Sequence, residues 1–109
     1  MKVVEAKIKK VVEKVLAQAG FTLHSVILFG SRARGDSDAE SDYDILVILN
    51  EDITIGEKRN LMVKISTALH KEIKFTPFDI IVKSLKKFEE EKDIVNTISN
   101  EAFLDGMKI

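Results

Sequence analysis

One segment restricts the fold of this sequence more than any other, the apolar run from Ile45 to Leu49. The run contains three β-branched residues, a composition that favours a β-strand over residues 42–49. Apolar residues occupy consecutive positions, whereas a strand with one face in water would alternate apolar and polar residues. The segment is therefore predicted to be a strand that is covered on both faces.

The rest of the chain supplies helices that can provide this cover. Apolar residues recur at helical spacing near the start of the chain and again after a Thr54-x-x-Glu57 capping box, and Pro77 stops the second run. This order predicts an α/β (α+β) fold, with a small sheet of three or four strands flanked by helices in two or three layers. The first half of the chain is predicted to form a helix over 2–19, strands over 25–29 and 42–49 joined by a connection over 30–41, and a helix from the capping box to before Pro77. The second half is predicted to form a strand over 78–82, a short helix over 84–91, a last helix marked by Ile94, Ile98, Ala102 and Phe103, and an edge strand over 107–109.

Length and composition limit the function classes. The chain of 109 residues is predicted to form a single domain over 1–109, and 45% hydrophobic residues supply its core. A net charge of −1 predicts no general attraction to nucleic acid or to an anionic membrane, so no direct nucleic-acid partner is expected. The absence of cysteine excludes a disulfide scaffold and a cysteine nucleophile. No apolar run approaches the roughly twenty residues of a membrane span, and the start lacks the apolar centre of a secretory signal, which favours the cytoplasm.

An acidic stretch leads into the apolar strand. Between Asp36 and Asp52 there are seven Asp or Glu residues and no Lys or Arg, a concentration of charge that favours a bound cation. Asp42 and Asp44 are two residues apart on a strand, so their carboxylates face one side of the sheet and Tyr43 faces the other. Hard oxygen ligands without His or Cys favour one or two Mg²⁺ or Mn²⁺ ions, whose remaining ligands come from water and substrate phosphates.

Two further segments carry polar residues suited to the same site. Asp79 lies one residue into an otherwise apolar strand and needs a partner there, which makes it the candidate third metal ligand. Gly30-Ser31 ends the first predicted strand with a glycine that lets backbone N–H groups approach an anion closely, and a hydroxyl stands beside it. Arg32 and Arg34 follow directly and are candidates for contact with phosphates, with a solvated loop position as the equal alternative for each.

These segments can meet in one topology. Gly30-Ser31 is at the end of one predicted strand, and Asp42 and Asp44 are at the beginning of the next, so the first two strands must be antiparallel. Asp79 is also near the beginning of a strand and is reached through a helix, so the third strand must be parallel to the second. The sheet is therefore predicted to be mixed.

Together these residues form a pattern that resembles the minimal nucleotidyltransferases of the DNA polymerase β superfamily. The pattern is Gly30-Ser31, ten intervening residues and Asp42-x-Asp44, within the longer runs Gly-Ser-Arg-Ala-Arg-Gly-Asp and Ser-Asp-Tyr-Asp-Ile-Leu-Val. Residues 78–82 match the later strand that carries a third carboxylate in that family, and the likeness covers nearly the whole chain, including its ending over 101–109. The resemblance implies the nucleotidyltransferase fold.

The resemblance also implies an activity. It implies transfer of a nucleoside monophosphate from a nucleoside triphosphate, expected to be ATP, to a hydroxyl group, with pyrophosphate as the leaving group. In the family pattern Gly30 and Ser31 hold the triphosphate, Asp42 and Asp44 bind two metal ions, and Asp79 completes the metal site beside the attacking hydroxyl. Small members of the family often pair with a helical HEPN-domain toxin and adenylylate one of its tyrosines, so the resemblance implies a protein adenylyltransferase that acts as an antitoxin.

Other interpretations stay open from the sequence alone. A binding protein with this fold could act as an antitoxin without catalysis, although the three carboxylates favour the enzyme. A small-molecule transferase of the antibiotic-modifying type is a further alternative, but such enzymes commonly use a second domain to hold the acceptor. Several residues are predicted to be solvated: His24 and His70, the loop acids Asp36, Asp38 and Glu40, and the lysines on the polar face of the first helix. The alternatives are that Asp36 contacts Arg34 or the substrate, and that the lysines bind a phosphate chain or an acidic partner.

Overall fold

The chain is organised around one four-stranded sheet in the computed structural model, which describes residues 3–35 and 42–109. The predicted strands are present with bounds that differ by at most two residues. Position 2 of the first predicted helix and the predicted loop acids Asp36, Asp38 and Glu40 lie outside the described residues. The elements are α1 (Val3–Ala19), β1 (Leu23–Phe29), α2 (Ser31–Arg34), β2 (Tyr43–Leu49), α3 (Ile55–Glu72), β3 (Phe78–Ser84), α4 (Leu85–Glu91), α5 (Ile98–Asp105) and β4 (Met107–Lys108).

The sheet is mixed, as the sequence predicts. Its strand order is β3-β2-β1-β4, with β1 antiparallel to β2, β2 parallel to β3, and the short β4 antiparallel to β1. The crossover from β2 to β3 runs through α3, because parallel neighbours cannot be joined by a tight turn. The end of β1 and the beginnings of β2 and β3 therefore share one edge of the sheet.

Strand β2 is covered on both faces, which confirms the prediction from its apolar run. Ile45, Val47 and Leu49 pack in one buried cluster with residues of α1 and α3. Leu46 and Ile48 pack in a second cluster with Phe88 of α4 and Ala102 of α5. The described residues thus form three layers, with α1 and α3 on one side of the sheet and α4 and α5 on the other.

The helix ends follow the predicted capping signals. The backbone N–H of Glu57 donates to Oγ1 of Thr54 at 3.1 Å, and the N–H of Thr54 donates to Oε1 of Glu57 at 3.0 Å, which completes the capping box of α3. Oγ of Ser84 accepts from the N–H of Lys87 at the start of α4. In the described part of the chain, we find no helix that combines the length and apolar character needed to cross a membrane.

Two helices differ from the prediction. The last helix begins at Ile98 and does not include Ile94, because Oγ1 of Thr97 caps it by accepting from the N–H of Asn100 at 3.0 Å. Asn96 has a φ of 71°, which cannot continue a right-handed helix. The connection after β1 contains the four-residue helix α2, too short to show an apolar period in the sequence.

Removing the cap of α3 should destabilise the fold. We expect Thr54→Ala to lower the free energy of unfolding by about 1 kcal/mol, because two backbone N–H bonds at the helix start depend on this residue pair. Thr67→Ala, at an exposed position inside α3, is the control and should leave the stability unchanged or slightly higher. Urea denaturation measures both, and equal stability of Thr54→Ala and wild type would contradict a role for the cap.

Candidate active site

Strand register brings two of the predicted carboxylates side by side. Asp44 pairs with Phe29 of β1 on one side and with Asp79 of β3 on the other. Neighbouring residues in register share a face, so both carboxylates lie on the α4 and α5 side of the sheet, in line with Leu46. Asp42 stands just before β2 and is exposed, Asp79 is exposed, and Asp44 is half-buried between its neighbours.

The carboxylates are close enough to act on one another. Burial raises the pKa of Asp44 above its ordinary value of 3.8, and the negative charges of Asp79, Asp42 and Glu101 raise it further. The positive charge of Arg34 acts in the opposite direction. Because the acidic groups outnumber the nearby cation, this edge of the sheet favours the binding of additional positive charge.

Gly30 is fitted directly against Asp44. Its φ of 76° lies in the left-handed region, where a residue without Cβ is favoured. A Cβ at this position would overlap Oδ2 of Asp44, so the backbone approaches the carboxylate more closely than any other residue would allow. Ser31 follows as the first residue of α2, and the N–H groups of Ala33 and Arg34 donate to the carbonyl of Gly30. The predicted phosphate-binding pair therefore adjoins the carboxylates.

The two predicted arginines differ in position. The guanidinium of Arg32 lies 4.2 Å from the ring centroid of Tyr43, and Tyr43 is buried on the α1 and α3 side of the sheet, opposite to Asp44. The charge of Arg34, in contrast, acts on Asp44. The two side chains thus have different neighbours, and phosphate binding by either arginine stays a prediction.

The aromatic contact under the site continues across the sheet. Tyr43 stacks on Phe78 of β3 with 5.6 Å between ring centroids, and the rings of Phe78 and His70 are nearly perpendicular with 5.8 Å between their centroids. His70 is exposed at the end of α3, as predicted, and the described contacts give it a packing role beside Phe78. Tyr43 is buried, in agreement with its prediction as a core residue.

Glu101 is a member of the site that sequence analysis missed. It lies in α5, one residue before Ala102, which is buried against Phe29 and Leu46. Its charge is one of those that raise the pKa of Asp44. The spacing of residues in the sequence does not indicate that Glu101 is close to Asp44, because this proximity depends on how α4 and α5 pack on the sheet.

The donor set fits a hard divalent cation that is also bound by phosphate. Within residues 3–35 and 42–109, no three acidic or histidine side chains meet closely enough to hold a metal ion by themselves. Mg²⁺ commonly takes one or two carboxylates and completes its shell with water and substrate phosphates, so Asp44 and a neighbouring aspartate are a sufficient protein contribution. The role of Asp79 as a third ligand stays a prediction.

A mixed sheet that places a glycine-serine strand end beside carboxylates from the beginnings of two parallel strands defines a nucleotidyltransferase fold. The family model "Polymerase beta, Nucleotidyltransferase" matches residues 7–101 of this chain. The chain belongs to this family, as the sequence resemblance predicts.

One relative is similar over part of the sequence. The protein named "Putative protein adenylyltransferase MJ0141" from Methanocaldococcus jannaschii is 52% identical over 40 residues, which are 37% of this chain. The aligned stretch covers 40% of that protein's own length. The similarity is therefore local, although its identity is high.

Solved structures share the fold at low sequence identity. "Crystal structure of the toxin-antitoxin with AMP-PNP" contains a chain with a TM-score of 0.56 and 19% identity, over 92% of this chain and 70% of that one. "Structure of putative minimal nucleotidyltransferase" gives a TM-score of 0.57 and 20% identity, over 96% of this chain and 91% of that one. At these identities the likeness establishes the fold.

The repulsion at Asp44 predicts a stability that depends on pH. Because folding raises the pKa of Asp44, its ionisation above about pH 3.8 lowers the free energy of unfolding when no metal is present. Asn cannot ionise, so the stability of Asp44→Asn relative to wild type in chelator should increase from about pH 4 to about pH 7. Denaturant unfolding across this range measures the difference.

The matched control is Asp52→Asn, an exposed carboxylate beyond the other end of β2. Its stability relative to wild type should change less over the same pH range. A constant difference between Asp44→Asn and wild type would contradict repulsion at the site. The same Asp44 variant should lose nucleotidyl transfer, and full activity at saturating Mg²⁺ would remove Asp44 from the metal site.

Proposed function

We propose that this chain transfers AMP from ATP to a hydroxyl of a partner protein, and that the acceptor is a tyrosine of a HEPN-domain toxin for which this chain is the antitoxin. The transferase class follows from the family to which the chain belongs. The protein acceptor is supported by the relative named as a protein adenylyltransferase, and the toxin partner by the toxin-antitoxin complexes among the structural neighbours.

The observation that carries the proposal is the contact between Gly30 and Asp44 beside Asp79. It combines a backbone turn suited to phosphate with carboxylates suited to a divalent cation, at one edge of one sheet. Each feature alone is common in proteins that do no phosphate chemistry. Because they are in direct contact, the oxygens of a triphosphate bound at the turn would share cations with the carboxylates.

The reaction follows from these roles. The acceptor hydroxyl oxygen forms a bond to the α-phosphorus of ATP, the bond from the α-phosphorus to the bridging oxygen breaks, and pyrophosphate leaves. Gly30 and Ser31 would hold the triphosphate, and Asp79 would orient the hydroxyl and accept its proton. Asp42 and Asp44, with Asp79, would hold two Mg²⁺ ions, which when bound offset the negative charge of the phosphates.

The openness of the site favours a protein acceptor. Asp42 and Asp79 are both exposed at the edge of the sheet. Small-molecule sites usually enclose most of the ligand surface, and enclosure is what positions a small acceptor. Correct placement of two reactants supplies roughly 7–11 kcal/mol of a barrier, and a folded partner can contribute that placement through its own surface.

Metal and nucleotide should stabilise the protein together. We expect Mg²⁺ with ATP to raise the melting temperature much more than either alone, because the phosphates meet bare carboxylates without metal, and the metal lacks ligands without phosphates. Thermal shift measurements with each component and with both test this, and Asp42→Asn should lose the joint effect. Equally tight ATP binding in chelator would indicate a different nucleotide site.

Transfer itself is tested with labelled ATP in an extract of the source cells. Wild type should label a protein from ATP carrying the label on the α-phosphate, and mass spectrometry should find an adenylyl group on a tyrosine of a HEPN-domain protein. ATP labelled on the γ-phosphate is the control, and adding this chain should give no label beyond that from the kinases of the extract alone, which separates nucleotidyl transfer from kinase activity. Asp79→Asn should not transfer. Label on a small molecule such as an aminoglycoside, with no protein labelled, would overturn the protein acceptor.

A further inference from the structure

Exposed apolar residues are concentrated near the end of the chain. Of the ten large apolar side chains that are exposed in the described part of the protein, six lie between residues 94 and 107. Val95 is 73% exposed and Leu104 is 68% exposed. Exposed apolar side chains that share one surface mark interaction sites more often than scattered ones do.

Three of these residues form one groove. Val95, Ile98 and Leu104 line a groove of about 440 Å³ between α5 and the turn that precedes it. Glu101 and Asp105 line the same groove, and no lysine or arginine of the described residues forms an ion pair with either carboxylate. Asn96, Thr97 and Asn100 complete the lining, and Thr97 and Asn100 use their polar groups in hydrogen bonds within the turn. The groove therefore combines apolar and polar side chains with negative charge that the described residues do not pair.

The groove lies on the side of the sheet that carries the active site. Glu101 lines it, the next residue, Ala102, is buried in one cluster with Phe29, and Phe29 is the register partner of Asp44. A ligand segment bound in the groove would thus end beside the carboxylates. Another groove, between α1 and α3, includes the exposed Val63, but it lies on the opposite side of the sheet from Asp44.

We propose that the α5 groove, formed by Val95, Ile98, Glu101, Leu104 and Asp105, docks the acceptor protein through an apolar segment flanked by lysine or arginine. The apolar side chains would fill the groove, and the basic residues would pair with Glu101 and Asp105. This proposal rests on the proposed function, since it assigns the surface that brings the acceptor hydroxyl to Asp79. It adds the chemistry of the segment that this chain recognises.

Peptide binding without nucleotide tests the docking surface apart from catalysis. The probe is a phage-displayed library of random 12-residue peptides, selected on the wild-type chain, after which enriched peptides are synthesised and their affinities measured by fluorescence anisotropy. Enriched peptides should combine large apolar residues with lysine or arginine. Leu104→Asp and Val95→Asp should each weaken binding by about tenfold or more, because an apolar anchor and the charge balance are both lost.

Ile55→Asp is the matched control, since it places the same charge at a position of similar exposure, 70%, at the start of α3 and beyond the opposite end of β2 from Asp44. It should leave peptide affinity unchanged, and all three variants should keep the wild-type melting temperature because the replaced side chains are exposed. Sedimentation of wild type and Leu104→Asp checks whether a second copy of the chain occupies the groove.

Three results would overturn the docking site: no enriched peptide, equal binding by wild type and Leu104→Asp, or a wild-type dimer that Leu104→Asp dissociates. Loss of binding in Ile55→Asp alone would move the surface to the groove that Asp52, Ile55 and Lys58 line. Failure of the proposed function has a different signature. In that case tyrosine-containing peptides would still bind the groove, and Mg²⁺ with ATP would not adenylylate them.

Discussion

The register of β1, β2 and β3 is the constraint on which the site depends. Asp44 meets Phe29 and Asp79 only in this register, and a slip by one residue would turn the carboxylate to the opposite face. Because β2 is apolar on both faces, burial by itself specifies its register weakly. The fit of Asp44 against Gly30 and the stacking of Tyr43 on Phe78 are contacts that a slipped pairing would break. These two contacts, at the end of the sheet where the site lies, therefore help to define the register of β2.

The carboxylates at this end of the sheet lower the stability of the fold. Asp44 is partly withdrawn from water and faces other carboxylates, and both effects raise its pKa although the charge of Arg34 acts against them. The burial of β2 between two apolar clusters offsets the cost and keeps the strand ordered up to its charged end. A protein that needed only stability at this position would gain from a neutral residue, so the retained charge fits a role in binding cations.

Much of this arrangement follows from local patterns in the sequence. The apolar run of β2 predicts its two-sided cover, and the positions of the polar residues at strand ends predict the mixed topology. The position of Arg32 over Tyr43 could not be predicted, because α2 is too short to show a periodic face that would distinguish Arg32 from Arg34. Glu101 was missed because its approach to Asp44 depends on how α5 packs against β1 and β2, which no local spacing records. The start of α5 was misplaced because Ile94 continues the apolar period while Thr97 and Asn96 interrupt the backbone.

The stacked side chains beneath the site have a mechanical consequence. Arg32 from α2, Tyr43 from β2, Phe78 from β3 and His70 from α3 form one column on the side of the sheet away from the carboxylates. Arg32 follows the Gly30-Ser31 turn by one residue, and Phe78 precedes Asp79. A displacement of the turn relative to the strands would therefore break the contact between the Arg32 guanidinium and the Tyr43 ring or that between Tyr43 and Phe78. The column thus ties the Gly30-Ser31 turn to the two strands that position Asp44 and Asp79.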